Sequence, residues 1–337
     1  MPVPPAPVAA ADREPIPRIA STEGEPTPPP VAASRRYGSR WRLLAYLPAL
    51  VPVAILVLII AELAISSKFT NFGLGFWGSL WDPPNHWGIA VFVVGSFLTA
   101  LPALFFAMAI GLGIAIASTT YLPRWMTRWM DPFVDLLAGI PSVVYGIWGY
   151  VLVAPYFGTV LNPWVYDHLH FLPGFGPPAP LTNGLGLPIG IFILTLMALP
   201  ITTLLIRDAL RSVPKDLWES GLALGATRWE TVRRVAIPYG SRGILSAGFL
   251  GFGRAFGETV AIAMVLNVVA SYPVNVYGWT GTMAAEMFLS LDSAFNNTQW
   301  LAALSEMAIV LLGISLVVNL VGRRLVSRIV TYEVAGL

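Results

Sequence analysis

Arg254 and Glu258 lie four residues apart in an otherwise apolar stretch, GFGRAFGETVAIAMVLN, which runs from Gly251 to Asn267. A guanidinium is a fixed positive charge that can hold two oxygens of an oxyanion at once, and a carboxylate can pair with a cation or accept a proton. A continuous helix would place both side chains on one face, one turn apart. Two roles are open: an internal ion pair that holds helices together, or a polar site inside an apolar protein.

The composition indicates what kind of element must position these charges. The chain has 337 residues, of which 56% are hydrophobic and 11% are charged, against about 25% charged in an average soluble domain. A soluble fold could not bury so much apolar surface, so we expect an all-α integral membrane protein. The sequence has no cysteine, which excludes disulfides, thiolate metal sites and cysteine nucleophiles.

Six stretches are long and apolar enough to cross a bilayer, which takes roughly 20 residues per helix. They are Leu43–Ile65, Trp87–Ala117, Phe133–Phe157, Leu185–Ile206, Ile244–Ala270 and Trp300–Val321. The second is interpreted as one long helix that bends near Pro102, and Asp131 with Pro132 predicts the start of the third. Eighteen of the 20 lysine and arginine residues fall on one side of these spans, which predicts that both termini are cytoplasmic.

The predicted organisation has four parts. Residues 1–40 form a tail rich in proline and alanine, with ten prolines in the first thirty positions, which we expect to be disordered and not a signal peptide. Residues 41–86 hold the first span and an outer segment. Residues 87–330 hold a core of five helices with a cytoplasmic loop at 207–243, and residues 331–337 form a cytoplasmic C-terminus.

The charged residues inside the spans differ in their expected depth in the bilayer. Arg254 is expected near the middle of the bilayer, ~15 Å from Ile244 at ~1.5 Å per residue. A lone arginine at that depth costs at least ~2.5–3.5 kcal/mol, so it should face a water-filled path or a partner. The carboxylates of Glu62, Glu306 and Asp135 lie near the ends of spans, where mainly structural roles are expected.

Hydroxyl groups could add polar lining to such a path. The candidates are Ser96, Thr99, Ser142, Thr202, Thr203 and Thr259. A bond back to the carbonyl of the same helix is the simpler expectation for most of them. Ser142 follows Pro141, where an interrupted backbone could offer polar groups to a cavity. Gly253 and Gly257 predict close packing of the fifth span on a neighbouring helix.

The cytoplasmic loop carries the most specific pattern, ESGLALGATRWETVRRVAIP. Pro214 and Gly225 predict the two ends of one helix. Thr227 and Glu230 have the spacing of a capping box that begins a second helix, and Pro238 is predicted to end it. The loop is therefore predicted to fold as a helix, a glycine turn and a helix.

This pattern resembles the EAA loop of ABC importer permeases, which places a glutamate, two small residues, a glycine and a proline at fixed positions. Glu219, Gly225 and Pro238 fall at these positions, Ser220 and Gly221 stand where the family has two alanines, and Ala226 follows the glycine. The resemblance implies a type I ABC importer permease fold and a loop that docks in a groove of a cytoplasmic ATPase. The chain has no G-x-x-x-x-G-K-[ST] sequence, so ATP hydrolysis would reside in that partner.

Two further blocks, LLAGIPSVVYGIWGY and GRAFGETVAIAMVLN, resemble the phosphate-specific members of this family. The resemblance implies a non-enzymatic subunit that imports inorganic phosphate without a cofactor. Its implied partners are a second permease, a dimer of the ATPase and an external phosphate-binding protein. We expect Arg254, Glu258, Thr259 and Ser142 to line the substrate path. Our hypothesis is that Glu258 pairs with Arg254 at rest, releases it when phosphate enters, and accepts the proton that phosphate carries and sulfate lacks.

Three alternatives stay open from the residues alone. The chain could be a permease for another oxyanion. It could also be a stand-alone secondary transporter, with Arg254 and Glu258 as an ion-coupled site, in which case it would transport without an ATPase. A membrane enzyme that uses Glu258 as an acid or base is the third alternative, although the sequence offers no metal cluster or nucleophile to accompany it.

Overall fold

The computed structural model describes residues 39–67, 75–178 and 183–334. Contacts divide the chain into two units, Met1–Ile55 and Leu56–Leu337, and every contact discussed below lies within the second. The predicted disordered tail falls almost wholly outside the described residues. The regular secondary structure of the described part is helical apart from one short antiparallel hairpin, which confirms the expectation of an all-α protein.

Helices of very different length make up the described chain. The hairpin strands are β1 (Trp81–Asp82) and β2 (His86–Trp87), and the helices are α1 (Ser39–Ser67), α2 (Ala90–Ile116), α3 (Arg124–Gly139), α4 (Ser142–Trp148), α5 (Ala154–Tyr156), α6 (Asn162–Leu169), α7 (Leu187–Arg211), α8 (Lys215–Ala223), α9 (Arg228–Thr231), α10 (Ile237–Phe256), α11 (Val260–Val265), α12 (Met283–Leu289), α13 (Leu291–Asn296) and α14 (Thr298–Val334).

Five helical stretches in the described residues are long and apolar enough to cross a membrane. They are Leu50–Ser67, Ala90–Tyr121, Ser142–Leu169, Leu187–Arg211 and Thr298–Val326. The first, second, fourth and sixth predicted spans therefore each correspond to one of these stretches, with shifted ends. The third predicted span begins later than predicted. The fifth predicted span is divided between α10 and α11, so the count of six stays a prediction.

Helices α2 and α7 pack closely because small residues on α2 let the two backbones approach. The buried small residues are spaced four apart: Ala103, Ala107, Gly111 and Ala115. Opposite them, the hydroxyls of Thr195 and Thr202 on α7 donate to the carbonyls of Ala103 and Ala107, each at 3.4 Å. Small interfacial residues and hydroxyl hydrogen bonds are what hold helices together in lipid, where apolar burial gives little advantage.

The third span begins at Ser142, later than the predicted Phe133. Helix α3 ends at Gly139, and Ile140 has an extended backbone with φ −70° and ψ 126°. The cause is Pro141, which has no amide hydrogen to donate and disfavours a helical conformation in the residue before it. The apolar run of the predicted third span therefore contains a break between α3 and α4.

The helix start predicted at Asp131 and Pro132 is wrong, because both residues lie inside α3, which begins at Arg124. Instead, α3 is amphipathic. One face carries exposed apolar side chains, which are Trp125, Trp129, Phe133 and Leu136. The other face carries Asp131 and Asp135, which contact α7. The helix thus separates an apolar surface from a charged one.

Pro238 was predicted to end the second helix of the loop, and this is wrong. The backbone stays helical from α9 through a wide π-type turn, Val232–Ala236, into α10, and Pro238 occupies the first turn of α10. A π-type turn shifts the backbone hydrogen-bond pattern by one residue. Pro238, which has no amide hydrogen, can therefore follow the turn without ending the helix. The loop therefore connects rigidly to the helix that carries Arg254.

The hairpin contacts α14 through aromatic side chains and α12 through a hydrogen bond. The ring of Trp81 lies edge-to-face with Trp87 at 5.4 Å and with Trp300 at 5.9 Å between centroids. The Glu286 carboxylate accepts a hydrogen bond from the Ser290 hydroxyl at 2.7 Å and another from the Trp81 side chain. Burial raises the pKa of Glu286 above its ordinary value, and these two hydrogen bonds oppose the rise.

Candidate functional site

The helix that was predicted to carry Arg254 and Glu258 on one face is interrupted between them. Helix α10 ends at Phe256, α11 begins at Val260, and Glu258 lies in the turn between the two. There the Oε1 atom of Glu258 accepts a hydrogen bond from the amide of Ala261 at 3.4 Å. The carboxylate thus stabilises the start of α11, as acidic groups do at helix N-termini.

Arg254 is exposed to the space around α10. Among the described residues no carboxylate oxygen lies within 4.0 Å of its guanidinium. The described residues therefore show no ion pair between Arg254 and Glu258, because the break in the helix removes the one-turn spacing that such a pair requires. The guanidinium is left with its donors available.

Arg254 lines a cavity of about 270 Å³ together with Asp135 of α3 and apolar residues of α7. At roughly 30 Å³ per water molecule, this space has room for a small oxyanion with some of its water. Tyr145 of α4 lies near enough to Arg254 for the two to interact electrostatically. Its hydroxyl donates to the carbonyl of Leu137 at 3.0 Å and so connects the two sides of the break at Pro141.

Ser142 and Thr259 lie at the starts of two helices that pack together. Ser142 is the first residue of α4, and Thr259 precedes α11 and donates to the carbonyl of Gly257 at 3.2 Å. The two helices are in close contact at Gly146, where an added Cβ would lie 2.7 Å from the sulfur of Met264. The structure therefore brings both interrupted segments, each with a polar residue at its start, to one region.

A charged cluster between α3 and α7 was missed from the sequence. Arg207 forms an ion pair with Asp131 at 2.6 Å and donates to Asp135 at 3.1 Å, and Arg211 donates to Asp131 at 2.9 Å. The Arg207 side chain is only 3% exposed. The sequence signal for this cluster was one pair of aspartates and one pair of arginines, each with its members four residues apart. Residues at that spacing share one face of a helix. We did not recognise this pattern, because Asp131 was interpreted as the start of a helix.

This cluster gives a direct expectation for stability. Arg207→Gln should lower the free energy of unfolding by about 3 kcal/mol, because it leaves two carboxylates without their buried partner. Arg211→Gln should cost less than about 1 kcal/mol, because Arg211 is 50% exposed and exposed pairs contribute little. Thermal unfolding of the two variants in the same detergent measures the difference, and equal losses would contradict the assignment.

Most of the other hydroxyl candidates bond within their own helices. Ser96 donates to the carbonyl of Phe92 at 2.8 Å, Thr99 to that of Gly95 at 3.0 Å, and Thr202 to that of Ala198 at 3.1 Å. These hydroxyls are buried and bond back to their own helices, so the simpler expectation is confirmed for the three. The same expectation is wrong for Thr203, whose buried hydroxyl makes no hydrogen bond within the described residues.

Two further expectations need correction. Glu306 is completely buried in α14 and does not lie at an exposed helix end. Gly253 and Gly257 do not give the predicted close packing, since an added Cβ on Gly253 would meet nothing within 4 Å. The close approach of α10 to α7 is at Gly251, where an added Cβ would lie 2.6 Å from the Cγ2 of Thr202.

The α8–α9 hairpin, residues 215–231, has the predicted local structure. Gly225 has φ +84°, a conformation that suits glycine, and follows the end of α8. The amide of Thr227 donates to Glu230 at 2.8 Å, and the amide of Glu230 donates to the Thr227 hydroxyl at 3.2 Å, so the capping box is confirmed. The first of these bonds lowers the pKa of Glu230, with a further contribution from the Thr227 hydroxyl.

Large apolar side chains are exposed on the surface of this hairpin. Leu224 is 89% exposed, and Leu217 and Trp229 are also exposed. Glu219, Ser220, Gly225 and Ala226 lie on the same hairpin, and all are exposed except Ala226, which is partly buried. Gly221 packs instead against Thr231, where an added Cβ would lie 3.1 Å from the Cγ2 atom. Exposed leucine and tryptophan side chains grouped on one short element are typical of a surface that binds another protein.

Comparison with known proteins gives concordant results. Residues 108–331 match the family described as binding-protein-dependent transport system inner membrane component. The chain is 33% identical over 290 residues to phosphate transport system permease protein PstC of Mesorhizobium japonicum, covering 82% of this chain and 87% of the relative. It is 33% identical over 270 residues to the protein of the same name from Pasteurella multocida, covering 78% and 82% of the two chains.

The fold is also similar to that of a solved ABC transporter. A chain of the bacterial alginate ABC transporter, solved in complex with an alginate pentasaccharide-bound periplasmic protein, superposes with a TM-score of 0.58 at 18% identity. The match covers 86% of this chain and 95% of the other. From the family match, the relatives and the shared helical fold, the chain belongs to the binding-protein-dependent transport system inner membrane components, as a multi-pass permease subunit of a bacterial ABC importer.

Proposed function

We propose that this chain is one of two permease subunits of an ATP-driven importer of inorganic phosphate and forms half of the translocation path. The observation that carries the proposal is Arg254, an exposed guanidinium without a carboxylate partner among the described residues, at the wall of a cavity of about 270 Å³. A planar guanidinium matches two phosphate oxygens at once. The names of the two relatives support phosphate as the oxyanion.

Glu258 would give this site its selectivity. A carboxylate repels a fully ionised anion, but it can accept a hydrogen bond from the proton that phosphate carries at neutral pH. Sulfate has no such proton. The position of Glu258 supports this role, because its place in the turn between α10 and α11 keeps it out of an ion pair with Arg254. Ser142 and Thr259, at the starts of α4 and α11, would add hydroxyl groups to the path.

In this proposal α10 supplies the fifth of the six membrane spans, which has no counterpart among the five apolar stretches of the described residues. Its 20 residues reach ~30 Å at ~1.5 Å per residue, about the thickness of the hydrocarbon core. It packs against α2, α7 and α14, each of which has the length and apolarity of a span. Arg254 and several glycines reduce its apolar character. With six spans, the lysine and arginine distribution orients both termini to the cytoplasm.

The α8–α9 hairpin would be the contact with the cytoplasmic ATPase. Glu219, Ser220, Gly221, Gly225, Ala226 and Pro238 hold the positions of the EAA loop. The exposed Leu224 supplies an apolar anchor, and a central apolar or aromatic anchor commonly carries much of the energy of such an interface. The proposed assembly contains a PstA-like second permease, a PstB-like ATPase dimer and a PstS-like phosphate-binding protein.

Reconstitution into proteoliposomes tests this function. The complex of this chain with the second permease and the ATPase is expected to accumulate phosphate only when ATP and the binding protein are both present. A tenfold excess of sulfate should not reduce uptake. Uptake by this chain alone would indicate a secondary transporter, and strong competition by sulfate would indicate a permease for another oxyanion.

A further inference from the structure

We infer that Asp135 is a release group, a carboxylate that exchanges between Arg207 and Arg254 and so competes with the transported anion for Arg254. The inference rests on the proposed function, because it takes Arg254 as the group that binds phosphate. It assigns a transport role to a residue whose position near a helix end suggests only a structural one.

Asp135 is the only carboxylate among the described residues that lines the same cavity as Arg254. Its Oδ1 atom accepts from Arg207 at 3.1 Å, and its Oδ2 atom makes no hydrogen bond or ion pair within the described part of the chain. The side chain is 49% exposed, whereas that of Arg207 is 3% exposed. Asp135 is therefore held at one oxygen only and faces the space into which an anion would enter.

Arg207 does not depend on Asp135 alone. Asp131 contacts Arg207 at 2.6 Å and Arg211 at 2.9 Å, and its side chain is 19% exposed. If Asp135 moves away, the buried guanidinium keeps a close carboxylate, which avoids the large cost of an unpaired buried charge. The cluster thus has one carboxylate that stays in place and one that can leave.

The breaks in the helices give Asp135 and Arg254 a way to approach each other. Asp135 lies on α3, which is separated from α4 by the break at Pro141, and Arg254 lies on α10, which is separated from α11 by the turn that contains Glu258. Residues at the ends of elements are where rigid segments pivot. Movement of α3 toward α10 would close the cavity and bring Asp135 to Arg254.

These features define two arrangements of the charges. With the cavity open, Asp135 stays on Arg207, and Arg254 is free to bind the anion. With the cavity closed, Asp135 replaces the anion on Arg254, and phosphate leaves. Even in the open arrangement the carboxylate repels a dianion across the cavity, since charges in a partly desolvated site interact over several ångströms. Removing the charge of Asp135 should therefore tighten binding.

Asp135→Asn and Asp131→Asn provide a matched pair of variants for the test. Each removes one carboxylate from Arg207, but only Asp135 lines the cavity. The complex with its permease and ATPase partners is purified, and radiolabelled phosphate binding is measured without the binding protein. Asp135→Asn is expected to lower the Kd about tenfold by loss of repulsion and to slow turnover. Asp131→Asn should lower thermal stability but leave the Kd of the folded complex unchanged.

Asp135→Glu keeps the charge and tests the same role if the asparagine variant fails to fold. It should bind phosphate no more tightly than the wild type. The inference is overturned if Asp135→Asn leaves the Kd unchanged, if Asp131→Asn tightens binding equally, or if Asp135→Glu also tightens it. A wild-type complex that binds no phosphate, or binds it equally well with Arg254→Gln, would refute the proposed function itself.

Discussion

Arg254→Lys is expected to reduce phosphate uptake about tenfold to 150-fold although it keeps the positive charge. A guanidinium offers two parallel N–H donors to two oxygens, whereas an ammonium acts as a point charge. A hydrogen bond to a charged group contributes about 1.5–3 kcal/mol, so losing one of the pair corresponds to that range. Initial rates of radiolabelled phosphate uptake in proteoliposomes measure the effect.

The structure predicts that this variant assembles normally. No carboxylate among the described residues depends on Arg254 for its charge, so the lysine side chain should leave the fold and the recovery of the complex unchanged. Recovery of the ATPase on affinity purification is the internal control. Near-normal uptake by Arg254→Lys would mean that Arg254 acts only as a structural charge and would exclude it from the binding site.

Leu224→Asp is expected to separate the chain from its ATPase while leaving the membrane part intact. Leu224 is 89% exposed, so the described fold does not need its side chain. An anchor residue at an interface typically contributes at least ~2 kcal/mol, and placing a charge there should weaken docking about 30-fold. Co-purification of the ATPase and phosphate-dependent ATP hydrolysis should both fall.

Leu224→Met is the matched control, because it keeps an apolar side chain of similar volume and should retain docking. Thermal unfolding of the permease should be the same for both variants. If Leu224→Asp retains the ATPase, the exposed apolar surface of the α8–α9 hairpin is not the docking surface. Loss of thermal stability instead would show that Leu224 supports the fold in a way that its exposure does not indicate.

Local chemistry in the sequence was enough to predict the α8–α9 hairpin. The positive φ of Gly225 and the bonds between Thr227 and Glu230 depend on residues within a few positions of one another. Such short-range features need no knowledge of the rest of the fold. The same holds for the long apolar stretches, because a bilayer requires a minimum run of apolar residues whatever the helix packs against.

Hydropathy did not predict the two helix breaks, between α3 and α4 and between α10 and α11. Pro141 and the turn at Glu258 both lie in apolar runs, and hydropathy does not distinguish one long helix from two short ones. Proline inside a helix is tolerated at Pro102 and Pro200, yet the helix ends before Pro141. The outcome depends on whether neighbouring segments can satisfy the freed backbone groups, which is a property of the packed structure.

By itself the sequence determined that the chain is a helical membrane protein, the approximate positions of its spans and the form of its α8–α9 hairpin. These follow from composition, run length and contacts between near neighbours. Only the tertiary structure decided that Arg254 and Glu258 do not pair, and that Asp131 and Asp135 pair with Arg207. Asp135 and Arg207 are 72 positions apart. The physical reason is that a charge takes whichever partner the packing of distant helices brings within reach.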